Sequence, residues 1–389
     1  MNQENKQLPF YEPPHPVAPP SRRILLIVNP VSGRMKTKAG IFEILDELYR
    51  RELPEVIPPP AEAEVEAAPA SKAAQKPSPK PAAAKAPAAK PQAIPLPFEG
   101  GSTVTLGGEP DPDRRVTVCP TMHRGHAAQM AATAAAEGFD TVICCGGDGT
   151  LNETISGLLT IPAHKRPRLG YVPAGSTNDF AASIGLPATL RAAARVAVGT
   201  SETPIDIGLF TPRGEEGHPA RHFSYIASFG AFTAASYSTS QVAKNMLGHL
   251  AYLIEGVKDI ANLRPIHAAF DLSNGLHLEG DYVFGAVTNT TSAGGVVKLP
   301  ADRVSMSDGQ FELLLIHHPK TALDLNRIAT ALLTQDFDSC PLADLYHAAR
   351  VRITLGEPLS WSLDGEEALG GTVIDVECLA GAVTMRVGE

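Results

Sequence analysis

The chain has 389 residues, 43% of them hydrophobic and 19% charged, ordinary for a globular protein and long enough for two cores. With 42 acidic residues against 33 Lys and Arg its formal net charge is −9, which excludes a surface built overall to grip nucleic acid. Five cysteines, odd in number and without C-x-x-C spacing, fit a reduced, cytoplasmic protein rather than a disulfide framework.

The polar, proline-rich stretch 1–21 has no apolar signal region and reads as a disordered tail, and no segment approaches the apolar length of a membrane span. From Arg22 the run Arg-Arg-Ile-Leu-Leu-Ile-Val is short, continuously apolar and β-branched, the pattern of a buried parallel strand, and Asn29-Pro30 closes it. A loop through Ser32 and Gly33 leads into Lys38–Arg51, where Ile41, Ile44, Leu45 and Leu48 recur at helical spacing. Residues from about 53 to 113 then turn to Pro, Ala, Lys and Glu with few large apolar side chains. This stretch reads as a disordered, solvated insertion whose lysines are secondary candidates for touching anionic lipid.

Alternation resumes with a strand Arg115–Cys119, a helix Gly125–Glu137 and a strand Thr141–Cys145. After a glycine loop come a helix Leu151–Leu159, a strand Leu169–Val172, a second glycine loop and a helix Asp179–Ile184. This predicts an α/β domain over 22–202 with a parallel sheet, binding its ligand at the carboxyl ends of the strands. From 203 to 389, short alternating runs at Arg221–Ala227, His277–Asn289, Gln310–His317, Ala349–Leu355 and Thr372–Cys378 predict a second, antiparallel β domain, interrupted by helices at Gln241–Leu263 and Ala322–Leu333.

Three loops fall at strand ends in the first domain: Asn29 to Gly33, Gly146 to Thr150, and Gly175 to Asp179. Glycines there let backbone N–H groups approach a phosphate, the following helix adds the positive end of its dipole, and Ser32, Thr150, Ser176 and Thr177 offer hydroxyl donors. Any one loop could serve only to turn and cap the chain. All three together, with Asp148 and Asp179 set among phosphate-binding amides, imply a cation, and Mg²⁺ held through water suits two carboxylates beside a polyphosphate. No Gly-Lys-Ser/Thr follows, and Asn152 stands where a dinucleotide fingerprint needs glycine, so neither of those nucleotide loops is present. In the second domain Asp364-Gly-Glu366 puts two carboxylates around a turn; alone it is a weak signal that reads more readily as an ordinary hairpin turn. His123 and His126, at a helix start without a carboxylate partner, read as structural.

In this order, Asn29-Pro30-x-Ser32-Gly33, Gly146-Gly147-Asp148-Gly149-Thr150-Leu-Asn152-Glu153, Gly175-Ser176-Thr-Asn178-Asp179-Phe180 and Asp364-Gly-Glu366 resemble the bacterial diacylglycerol kinases and YegS-like lipid kinases, relatives of the sphingosine and ceramide kinases. The resemblance runs from Arg22 to the last residue, apart from the insertion. It implies a phosphofructokinase- or NAD-kinase-like α/β domain followed by an antiparallel β-sandwich, with ATP and Mg²⁺ as cofactors and a membrane lipid as acceptor, diacylglycerol giving phosphatidic acid. By the same resemblance ATP is held by Asn29, Pro30, Ser32, Gly33, Thr121, the run Gly146 to Thr150, Asn152, Glu153, Gly175, Ser176 and Asn178, where Ser176 replaces the family's usual threonine. Asp148 and Asp179 organise the catalytic magnesium, Glu366 takes the proton, and Asp364 supports it. Ser305, Asp308 and Gln310 hold a second, structural Mg²⁺. The acceptor is expected between the domains, near Phe229–Tyr237 and the Gln241–Leu263 helix. A cytoplasmic protein with transient contact to the inner face of the membrane follows, with a homodimer as the default assembly. A kinase of a soluble metabolite, such as an NAD kinase, and an inactive nucleotide-binding regulator remain the alternatives.

Overall fold

The computed structural model describes residues 22–49, 102–103, 114–214, 218–231, 263–293 and 297–388. Most of the insertion, the Gln241–Leu263 helix except Leu263, and all of the Phe229–Tyr237 run beyond Ala231 lie outside the described residues.

The first half alternates as its sequence predicts. Strands β1 (Arg23–Val28), β3 (Arg115–Pro120), β4 (Thr141–Gly146) and β5 (Arg168–Pro173) form a parallel sheet in the order β3-β1-β4-β5, with β2 (Ser102–Thr103) antiparallel on the β3 edge. Both faces of this sheet are covered, so β4 has every residue buried, including Cys144 and Cys145. Helices α1 (Lys36–Tyr49), α2 (His126–Thr133), α3 (Asp148–Leu159), α4 (Asp179–Ser183) and α5 (Leu190–Val198) provide the cover. The α2 and α3 helices pack against the Leu25, Ile27 and Cys144 face, while α1 and α5 pack against Ile24, Leu26 and Ile143.

The second half is antiparallel. Its strands are β6 (Glu202–Arg213), β7 (Arg221–Phe223), β8 (Ile226–Gly230), β9 (Ile266–Leu272), β10 (His277–Thr288), β11 (Ser292–Ala293), β12 (Val297–Lys298), β13 (Phe311–His317), β14 (Ala343–Ala348), β15 (Arg350–Leu355), β16 (Ser360–Leu363), β17 (Glu366–Leu369) and β18 (Val373–Arg386), with α6 (Ala322–Thr334) between β13 and β14. Their inner faces enclose a core rich in aromatic rings. Trp361 is fully buried, with its ring centroid 5.1 Å from that of Phe210 and 4.8 Å from that of Phe229.

The halves share one continuous sheet. β18 runs antiparallel to β6 over most of its length, bulging between Leu379 and Val383, and then meets β5 in parallel at Met385 opposite Leu169. This crossing fixes the carboxyl ends of β1, β4 and β5 relative to the β16–β17 turn.

Two expected boundaries are corrected. The glycine motif at 146–150 is not wholly loop, because α3 starts at Asp148 rather than Leu151; Gly147 caps it in an extended conformation and Asp148 fills its first turn, where a carboxylate is favoured by the helix dipole. The predicted Arg221–Ala227 run divides into β7 and β8 because Asp364 captures the intervening amides of Ser224 and Tyr225.

Candidate functional site

The three strand-end loops converge. Asn29 donates from Nδ2 to Thr150 Oγ1 at 2.9 Å, and its backbone N–H donates to the Cys145 carbonyl at 2.8 Å. A methyl group on Gly33 would lie 2.0 Å from the Ala174 carbonyl oxygen, so only glycine, here with φ +56°, lets the first loop close on the third. The second and third loops touch likewise: a Cβ on Gly147 would stand 3.2 Å from Gly175 Cα. Asn178, left-handed at φ 55°, closes the third loop by accepting from the Gly175 N–H at 2.9 Å and donating to its carbonyl at 3.2 Å. Ser176 is left exposed at the tip, and Ser32 is half-buried beside Pro30.

Asp148 and Asp179 are each the first residue of a helix, α3 and α4, and the Asp179 N–H donates to Asp148 Oδ2 at 3.2 Å. Burial, then the negative charges of Asp179 and Asp364, push the Asp148 carboxyl up to about 7. Two acids that repel each other at paired helix N-termini are stabilised by a cation. Among the described residues no three His, Cys, Asp or Glu side chains gather to hold a metal alone. The pair therefore fits Mg²⁺, an ion that keeps waters and phosphate oxygens among its ligands.

Not every residue expected at the nucleotide faces the cradle. Asn152 is buried and donates from Nδ2 to the His222 carbonyl at 3.3 Å, bridging α3 to β7. Glu153 Oε1 accepts the Gly125 N–H at 2.7 Å, tying the start of α2 to α3. The Thr121 N–H donates to the Val28 carbonyl at 2.8 Å, which sets the start of the 121–125 loop beside the first strand end. His126 accepts the Met122 N–H at Nδ1, 3.1 Å away, and stacks on His123 with centroids 4.8 Å apart, so both act within this loop.

The β16–β17 turn faces the same loops. Asp364, left-handed at φ 51° and buried, accepts four hydrogen bonds: from Ser224 N at 2.5 Å, Ser224 Oγ at 2.7 Å, and the N–H groups of Tyr225 and Ile226 at 3.0 Å each. These fix the turn, and with it Glu366, whose Oε1 would lie 3.8 Å from a methyl group on Gly149. Glu366 Oε2 accepts from Arg124 Nη2 at 2.5 Å and Arg221 Nη2 at 3.1 Å.

The 305–310 turn is held by Asp206, which is fully buried in β6 and accepts from Gly309 N at 2.6 Å and Gly381 N at 2.7 Å. Asp308 Oδ1 accepts the Gln310 N–H at 2.9 Å, and Ser305 Oγ accepts that of Ser307 at 3.4 Å. Glu312 on β13 is fully buried, with no hydrogen bond of good geometry to either carboxylate oxygen. Burial chiefly, with the Asp308 and Asp206 charges, pushes its carboxyl up to about 8; the nearby amides of Glu312 itself and Ser305 offset this only in part. A buried acid near Asp308, with no hydrogen bond of good geometry and only the His347 imidazole at 3.9 Å, fits a cation at this turn. Sequence reasoning missed Glu312, Asp206, Arg124 and Arg221, since a lone acid in a strand or a lone Arg in a loop carries no spacing signal.

Comparison with known proteins places both halves of the chain. Residues 111–210 match the model of the diacylglycerol kinase catalytic domain, and 226–387 match that of the YegS C-terminal NAD kinase beta sandwich-like domain. The diacylglycerol kinase of Bacillus subtilis (strain 168) is 36% identical over 244 residues, covering 62% of this chain and 76% of its own length. That of Staphylococcus haemolyticus (strain JCSC1435) is 28% identical over 246 residues, covering 63% and 71%. A crystal structure of a diacylglycerol kinase from Bacillus anthracis str. Sterne superposes with a TM-score of 0.61 at 18% identity, over 95% of this chain and 97% of that one, a likeness of fold. With both halves of the catalytic fold matched and its loops brought together, the chain belongs to the diacylglycerol kinase family of YegS-like lipid kinases.

Proposed function

We propose that the protein transfers the γ-phosphate of ATP to the free hydroxyl of diacylglycerol, giving phosphatidic acid and ADP, with Mg²⁺ required. The observation that carries this reading is that Glu366 of the second half faces Gly149 at the start of α3, where the three strand-end loops meet. In this reading the loops of Asn29–Gly33, Gly147–Thr150 and Gly175–Asn178 bind the triphosphate through backbone N–H groups and hydroxyls. Asp148 and Asp179 would hold the catalytic Mg²⁺ through water, and its chemistry is to neutralise charge on the transferring phosphoryl group. Glu366 Oε1 accepts the hydroxyl proton as the lipid oxygen bonds to phosphorus and the bridging bond to ADP breaks. Asp364 acts through Glu366, by fixing the turn. Ser305, Asp308 and Gln310, with Glu312 behind them, would hold the structural Mg²⁺, which would offset a buried negative charge.

The other expectations follow from an acceptor that resides in a bilayer. The protein works at the inner face of the membrane by peripheral contact, and among the described residues no helix is long and apolar enough to cross one. The test is purified protein with Mg-ATP and mixed micelles containing diacylglycerol, read by mass spectrometry. Phosphatidic acid is expected; phosphate appearing only on a soluble metabolite would overturn the reading.

A further inference from the structure

Two arginines meet at Glu366 Oε2, and they differ in a way that suggests different work. Arg221 is fixed: its side chain is 28% exposed, and besides the carboxylate it donates from Nη1 to the Glu367 carbonyl at 2.7 Å. Arg124 is 73% exposed, and the only hydrogen bond of its guanidinium among the described residues is the one to Glu366 at 2.5 Å. Its backbone, by contrast, is anchored, because the next residue, Gly125, donates its N–H to Glu153 on α3. Arg124 is thus a long, solvated cation on a fixed root, parked beside the amino end of the helix that opens with Asp148 and Gly149.

A guanidinium in that position lies within one side-chain swing of any anion bound at the start of α3. A terminal phosphate carries more negative charge than one carboxylate and offers a planar fork two oxygens. We propose that Arg124 is the residue that binds the terminal phosphate of the nucleotide, exchanging its ion pair with Glu366 for that phosphate, while Arg221 stays behind to orient the Glu366 carboxylate. The exchange leaves Glu366 with one partner instead of two when the acceptor hydroxyl arrives, and places a positive charge where the transferring group needs it. The inference rests on the proposed ATP-dependent reaction and adds to it a residue that distinguishes tri- from diphosphate.

The test is calorimetric titration of the full chain with Mg²⁺ and either β,γ-imido-ATP or ADP, for wild type, Arg124→Ala, Glu366→Gln and the double variant, with thermal melting to establish folding. Arg124→Ala is expected to weaken the triphosphate analogue about tenfold, the range of one charge-assisted contact, and to leave ADP within about twofold. Glu366→Gln, which releases Arg124, is expected to tighten the analogue several-fold, and the double variant to lose that gain. Arg124→Ala affecting both nucleotides equally or neither, or a Glu366→Gln gain that survives without Arg124, would overturn the inference while leaving the ATP-dependent reading intact. A wild-type chain that binds neither nucleotide would sink both.

Discussion

Two carboxylates two positions apart, Asp364 and Glu366, end up with opposite tasks because one is buried and the other faces a cleft. Asp364 accepts four hydrogen bonds from the Ser224–Ile226 segment. Its replacement by Ala leaves three buried N–H groups unpaired, and since each costs ~1–3 kcal/mol, a loss of about 3 kcal/mol or more is expected in urea unfolding. Asp148 shows the reverse balance, an acid whose site opposes its own charge. Its carboxyl is raised from 3.8 to about 7, so the chelated protein loses stability as pH rises from about 4 to about 7, when the folded state must give up a proton it holds more tightly. Asp148→Asn should therefore stabilise the chelated protein by up to about 4 kcal/mol at pH 8 and by little at pH 4, a cost common to sites kept for function. Parallel melts at the two pH values in chelator measure this difference, and added Mg²⁺ should raise the wild-type melting temperature but not that of the variant.

At the scale of elements, the parts that were legible are those whose hydrophobic pattern repeats. β1, β4 and α1 read correctly because strands buried on both faces are continuously apolar and α1 keeps a helical stripe. The start of α3 was misplaced because glycine is a poor helix former, a propensity that the packing of α3 against α2 and β4 overrides. β14 carries Asp, Tyr and His on half-buried positions and gives no clean alternation. The loops around the phosphate cradle were found by composition, but their mutual contacts come from strands distant in sequence, as does the bond between Asn29 and Thr150. One helix contact can be tested. Gly157 on α3 faces the α2 backbone so closely that an added methyl would stand 2.2 Å from the Ala128 carbonyl oxygen. Alanine should gain about 1 kcal/mol in helix propensity, but forcing α2 and α3 apart costs about 1–3 kcal/mol, so Gly157→Ala is expected to lower the melting temperature.

For the molecule as a whole, β18 is the member that makes one site from two halves. It pairs with β6 in the second half and reaches β5 in the first, so the turn carrying Glu366 is held against Gly149, which lies more than two hundred positions earlier. No sequence pattern announces such a crossing, because β18 alternates like any half-buried strand. The account stands on Glu366 acting in proton transfer and not in holding the nucleotide. The most direct measurement is the Glu366→Gln variant, with diacylglycerol phosphorylation and nucleotide affinity determined on the same preparation. A general base contributes about 10²- to 10⁴-fold, so lipid phosphorylation should fall by at least a hundredfold while the triphosphate analogue binds as tightly as in wild type or tighter. A variant that still phosphorylates lipid within tenfold of wild type, or one that loses nucleotide binding along with activity, would contradict the account.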